Sequence, residues 1–247
     1  MSKTQETVSQ QKTLGRKERG RAFKEKILNL LSAENPECSV ETLCQFPERQ
    51  VINPLCIFLC HSEPHIRCRA IRAAGAVVAN LAEKDMESAR VLMRRMMWNL
   101  NDESGGIGWG MPEAMGESMA HHQGLAREYA RILISYARED GNFLEYEPLQ
   151  RGVLWGLGRL AQARPHLLQD HVSPLKGYLT SDDGTLRGLA AWIMGLIGAG
   201  EARSGLEQLV EDTTEITFCE NGKARTCRVS DLAREALAKI DAQSAVH

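Results

Sequence analysis

Aromatic residues make up only 5% of the 247-residue chain, and runs of β-branched residues are few. A sheet has little to pack with on that composition, so all-β architectures are excluded. No stretch of about 18 apolar residues occurs, which excludes a membrane-spanning helix. The polar start, Met1 to Gln11, contains no apolar signal core, and the cytoplasm is the expected compartment. The seven cysteines are odd in number and scattered over helical segments, which excludes a disulfide scaffold; they read as reduced thiols. Phosphate loop, serine-hydrolase elbow and dinucleotide fingerprint are all missing, so no catalytic residue and no cofactor are expected.

Charge of one sign is scarce as well, the net value being −2. It is unevenly spread. Residues 1–26 hold eight Lys or Arg against three Glu, which puts +5 on the start and leaves −7 on the rest. The acidic body argues against a large nucleic-acid footprint. A basic, flexible leader over residues 1–20 and a single repeat domain over 21–247 are the expected organisation.

What is abundant is Ala, Leu, Arg, Glu and Met, a mixture that favours helix, and it is arranged periodically. Pro54, Leu55, Phe58, Leu59, Ile66, Arg67 and Ala70 to Gly75 stand opposite Pro174, Leu175, Tyr178, Leu179, Leu186, Arg187 and Ala190 to Gly195 at an offset of 120. Weaker copies follow the first at offsets of 41 (Leu100, Ile107, Met115-Gly116), 83 (Leu149, Val153, Leu157-Gly158) and 163 (Val229, Ala233, Leu237). A period near 40 with two helical stretches per unit predicts an all-α superhelix of about five helix pairs. Within the second helix of each unit, small residues let neighbours approach closely while aliphatic ones at i, i+4, i+8 bury against them.

Leu179 to Ala199, reading LTSDDGTLRGLAAWIMGLIGA, resembles the HEAT-like repeat associated with phycobilisome lyase subunits. The resemblance is clearest over residues 172–241, close over 51–82 and visible in outline over 86–163. It implies a fold far more than a function, a bilin-lyase-like role being one alternative it carries.

Two segments depart from the repeat. Glu215 to Cys219 and Arg225 to Val229 flank Asn221-Gly222, which predicts a β-hairpin inserted before the last helix, expected to cap the end of the solenoid. Asn101 to Gly110 is Gly-rich where the repeat has an aliphatic-Arg pair, a mark of a site or a bend.

The second helices should line the concave side. Six residues after each aliphatic start come Arg72, Glu113, Trp155 and Trp192; ten residues after come Ala76, Glu117, Arg159 and Leu196; two or three after come Arg69, Trp109, Arg151 and Gly188. These rungs share one stripe, and its Trp, Arg and Glu content is that of an interface hot spot. The expectation is a non-catalytic binding or scaffold module. It would take a protein or peptide partner on its concave face, with Trp155 and Trp192 as anchors and Trp109, Glu113, Glu117, Arg151 and Arg159 as further contacts. Trp155 and Trp192 could instead fill gaps between repeats.

Other chemistries have weaker support in the sequence. Glu113, Glu117 and His121 at i, i+4, i+8, preceded by Asp102 and Glu103, could converge on a divalent metal, although such spacing is common on solvated helix faces. Cys56, Cys60, His61, His65 and Cys68 could gather around zinc but match no short zinc motif. Cys219 and Cys227 could approach across the hairpin. Trp109, Glu113, Arg151 and Trp192 resemble in residue type the inner surface of DNA-alkylation-repeat glycosylases, against which the acidic body counts.

Overall fold

The computed structural model describes residues 20–33, 35–100, 108–220 and 222–244. Almost all of the leader therefore lies outside the described residues, as do Asp102, Glu103 and Ile107. Helix α1 covers residues 20–32. It is followed by α2 (Pro36–Cys44), α3 (Glu48–Phe58), α4 (Pro64–Lys84), α5 (Met86–Leu100), α6 (Met111–His121), α7 (Gln123–Ser135), α8 (Glu147–Ala163), α9 (Val172–Lys176), α10 (Gly184–Ile197) and α11 (Arg203–Gln208). Strands β1 (Glu215–Glu220) and β2 (Lys223–Arg228) then lead into α12 (Val229–Ser244).

The architecture is a helix-pair solenoid carrying one two-stranded antiparallel hairpin. Helices α4, α6, α8, α10 and α12 stack each on the next to form one layer. The glycine that closes each second-helix pattern explains why they can. A Cβ at Gly75 would meet the Glu117 side chain, one at Gly116 would strike the backbone of Gly156, one at Gly158 would enter the Trp192 ring, and one at Gly195 would meet Ala236. The repeated glycine is thus the contact point between successive units, and hydrogen is the only side chain that fits there. Aliphatic residues of the same helices, among them Ile71, Met115, Val153, Leu157, Leu189 and Ile193, build one continuous core.

Turns are closed by specific polar groups. Asp183 caps α10 by accepting from the backbone N–H groups of Thr185 (2.6 Å) and Leu186 (3.2 Å). Arg187, the repeat's arginine, holds the same turn by donating to the carbonyls of Ser181 and Asp182 and to Asp212 at 2.8 Å. Its counterpart in the first unit, Arg67, is exposed and has no such acidic partner among the described residues.

The hairpin does not cap the end of the solenoid. It folds back across the stacked second helices, with β1 against α10 and β2 against α4 and α12, so that the fifth unit reaches the first. Its strand alternation explains the placement: Ile216 and Phe218 are buried on one face while Thr217 stays exposed on the other. A disulfide between Cys68 of α4 and Cys219 of β1, Cα–Cα 5.4 Å, anchors it. This corrects the expectation of seven reduced thiols. The anticipated Cys219 and Cys227 approach does not occur either, because the register sets Cys219 opposite Ala224 and Cys227 opposite Ile216.

Candidate functional site

The stripe of rungs anticipated on the second helices exists, but the hairpin lies over much of it. Trp155 is 6% exposed and Trp192 3%. Trp155 Nε1 donates to the Cys219 carbonyl at 2.6 Å, and Trp192 packs on Phe218 with ring centroids 5.3 Å apart. Both rings have their partner within the same chain. Neither stands open as an anchor.

Two rungs ten residues along the pattern meet directly. Arg159 donates to both carboxylate oxygens of Glu117, Nε to Oε2 at 2.6 Å and Nη2 to Oε1 at 3.2 Å, and His121 Nε2 lies 3.1 Å from Oε1. Burial pushes the Glu117 carboxyl up, but the hydrogen bonds from His121 and Arg159 outweigh it and hold the carboxyl below its ordinary range. Glu117 is therefore engaged as an ion-pair acceptor joining two units. Together with Arg72, Trp155 and the disulfide, these groups line a cleft of about 60 Å³ on one side of the hairpin.

On the other side lies a larger cavity of about 480 Å³, within the range of small-ligand sites. It is lined by Arg67, Trp109, Glu113, Arg151 and Trp155 from the helical layer and its loops, and by Thr217, Phe218 and Cys219 from β1. Apolar floor comes from Leu59, Ile71 and Leu189. Trp109 is 38% exposed and stands edge-on to Tyr146 at 5.7 Å. The left-handed Gly110 (φ 73°), N-cap of α6, sets the turn at this point, with its Cα so close to Leu59 that no side chain fits. Arg151 is neutralised by Asp183 at 2.5 Å, with Glu147 at 4.0 Å.

Glu113 is the unusual group in this lining. Its Oε2 is sealed from solvent and has no hydrogen-bond partner, because it lies against Gly152 of α8, where a Cβ would come within 2.5 Å of it. Burial pushes the carboxyl up to about 7, only partly offset by a hydrogen bond to its own backbone and by the field of Arg67. A carboxylic acid half-ionised near neutral pH, left unpaired beside a cavity, is uncommon outside functional sites.

The remaining candidate groups separate. Trp109, Glu113 and Arg151 share the large cavity with Trp155, whereas Trp192 is excluded from it beneath Phe218. Glu113 and Glu117 face different spaces, and among the described residues no group of three or more His, Cys, Asp or Glu converges to hold a metal ion. Cys68 is spent in the disulfide, and Cys60 Sγ donates to the Ile57 carbonyl. Missed entirely at the sequence level were β1 as a wall of the site and Arg67 at its mouth.

One stretch of the chain matches a family model. Residues 147–197 match the HEAT-like repeat. They comprise α8 through α10, the third and fourth second helices and the turn Asp183 caps. In solved structures the helix-pair solenoid has counterparts among engineered repeat proteins. A designed armadillo repeat protein in complex with the peptide (KR)4 is 15% identical, over 87% of this chain and 98% of that one, with a TM-score of 0.50. An engineered protein is 16% identical over 89% and 97%, with a TM-score of 0.49. No curated protein matches the chain in sequence. At these identities the likeness is one of fold. Among the described residues, no helix is long and apolar enough to cross a membrane.

Proposed function

We propose that this chain is a binding module that docks an extended segment of a protein partner between β1 and the concave helices. The supporting observation is the free edge of β1. Val229 N donates to Thr214 O at 3.0 Å, so the pair flanking the strands is a hydrogen-bonded one. Alternation along the register then makes Ile216–Cys227 and Phe218–Arg225 hydrogen-bonded pairs, and Thr217–Thr226 and Cys219–Ala224 open ones. Thr217 and Cys219 consequently turn their backbone N–H and C=O groups away from β2, toward the helical layer. Trp155 takes up the Cys219 carbonyl. The groups of Thr217 have no such partner among the described residues, and Thr217 lines the 480 Å³ cavity.

An unpaired strand edge is a template for an added strand. Here it is walled by the half-exposed Trp109, which supplies the apolar contact that main-chain hydrogen bonds alone lack. Repeat solenoids of this fold include a designed armadillo protein carrying a bound peptide, so the architecture accommodates partners of that class. Glu117, Arg159, Trp155 and Trp192 act in this reading as the frame that holds the hairpin in place. Trp109, Glu113 and Arg151 contact the ligand. The cytoplasm remains the proposed compartment, with the Cys68–Cys219 bond the feature that most argues against it.

The test is a selection from a displayed library of linear peptides against the full chain, followed by direct titration of the enriched sequences. Binding should fall at least tenfold in Trp109→Ala, and N-methylation of alternate peptide amides should abolish it while methylation of the others does not. Failure to enrich any peptide, or binding indifferent to both changes, would end the proposal.

A further inference from the structure

The chemistry at the floor of the cavity narrows the kind of segment it takes; this step rests on the docking mode just described. Four observations bear on it. The carboxyl of Glu113 has one oxygen sealed against Gly152 without a partner. The other oxygen meets only the backbone of Glu113 itself and is not among the sealed, unpartnered atoms, and Glu113 belongs to the cavity lining. Two indole rings, Trp109 and Trp155, belong to the same lining. Arg151, the other cation of the lining besides Arg67, is already neutralised by the Asp183 carboxylate, which is itself almost fully buried.

We propose that Glu113 is the receptor for a positively charged side chain, the ammonium of Lys or the guanidinium of Arg, carried by the docked segment and received there beside the exposed ring of Trp109. A carboxylate in an apolar, water-poor pocket gains most from an opposite charge, and indole faces attract the same charge through their quadrupole. Arg67 opposes this arrangement, but it is exposed at the mouth, where solvent screens it. An anionic ligand would have to sit at that mouth and would leave the Glu113 oxygens as they are.

Cation entry has a proton cost. Glu113 titrates near 7, so it is roughly one-tenth ionised at pH 6 and nine-tenths at pH 8. A cation that binds only the carboxylate should bind about tenfold more tightly at pH 8 than at pH 6, releasing one proton. The charged or titratable groups around Glu113 are Arg67 on α4, Glu117 and His121 further along α6, Glu147 and Arg151 on α8, Asp183 before α10 and the thiol of Cys60. The cavity-lining residues of β1 are Thr217, Phe218 and the disulfide-bonded Cys219.

The experiment follows the Glu113 carboxyl carbon by NMR in ¹³C-glutamate-labelled full-length protein, assigned with Glu113→Gln. The probes are n-butylammonium and the neutral n-butanol. Titrations of acetyl-(Thr-Lys)4-amide, acetyl-(Thr-Gln)4-amide and acetyl-(Thr-Glu)4-amide run in parallel at pH 6 and 8. The expected result is that n-butylammonium lowers the Glu113 midpoint while n-butanol does not. The Lys peptide should bind about tenfold tighter at pH 8, lose that preference in Glu113→Gln and gain affinity in Arg67→Gln.

A Glu113 midpoint indifferent to n-butylammonium overturns the cation receptor, as does tighter binding of the Glu peptide. Equal binding of Lys and Gln peptides overturns it too, but leaves the docking mode standing. If n-butylammonium shifts the midpoint while none of the peptides binds, the cation receptor holds and the docking mode falls.

Discussion

Breaking the Cys68–Cys219 bond should open the hairpin before it unfolds the solenoid. The bond closes a loop with a sequence separation of 151, which by chain entropy corresponds to about 5 kcal/mol of stabilisation against global unfolding. For a chain of this length that is a fall in Tm of roughly 10–20 °C in Cys68→Ser/Cys219→Ser. Locally the effect is larger in proportion. Without the bond the hairpin is held by Ile216 and Phe218, each worth about 2 kcal/mol of burial, and by the Trp155 hydrogen bond, worth about 1 kcal/mol. An isolated two-stranded hairpin is itself marginal in water, so docking is left close to balance. Amide hydrogen exchange of the full chain, oxidised and reduced, reads this directly. Residues 215–228 should lose most of their protection on reduction, while α6 and α8 keep theirs at temperatures well below the transition. Trp emission should shift to the red as Trp155 and Trp192 become wet. Unchanged protection in the hairpin with both thiols demonstrably free would refute the reasoning.

Three further outcomes are expected. Folding raises the Glu113 pKa from the ordinary value of 4.5 to about 7, so the folded chain holds a proton that the unfolded chain has lost. Its cost is absent below pH 4.5, grows as the pH rises toward 7 and stays constant above. Glu113→Gln should therefore stabilise the protein by about 3 kcal/mol at pH 8 and little at pH 4, measured by urea unfolding. Glu117 has the opposite sign, its stabilisation being present at neutral pH and lost as the pH falls through its depressed folded value. Glu117→Ala strips a partly buried Arg159 of its carboxylate and should cost about 3 kcal/mol in the same assay. Gly158→Ala would drive a methyl into the Trp192 ring and should cost about 2 kcal/mol, with Trp192→Leu restoring part of it in a double-mutant cycle.

Much of the frame was legible because its causes are local and repeated. The glycine that ends each second-helix pattern recurs because each unit meets the next at that point, and the Glu117 and Arg159 rungs touch because one stripe carries both. The site was only half legible. Trp109, Glu113 and Arg151 came from the same register, yet nothing periodic says that residues 215–228 return to α4 across 151 positions. A trace of that return is present. Ile216 and Phe218 alternate with polar residues, so the strand needs an apolar surface to cover, and the aromatic stripe with Gly188 beside it is the surface on offer. Arg67 was not legible as a site residue because its counterpart Arg187 is structural, bound to Asp212, whereas the same repeat position in the first unit lines the cavity.

The disulfide also changes how the molecule would carry load. A solenoid pulled at its two ends normally peels open unit by unit, each helix pair yielding in turn. Here tension entering through α1 to α3 reaches Cys68, crosses the covalent bond to Cys219 and leaves through α12, bypassing everything between. Roughly 500 Å of contour, the length of 151 residues drawn straight, is thereby held in reserve. Oxidised, the protein is a short and stiff tether; reduced, it becomes an extensible one.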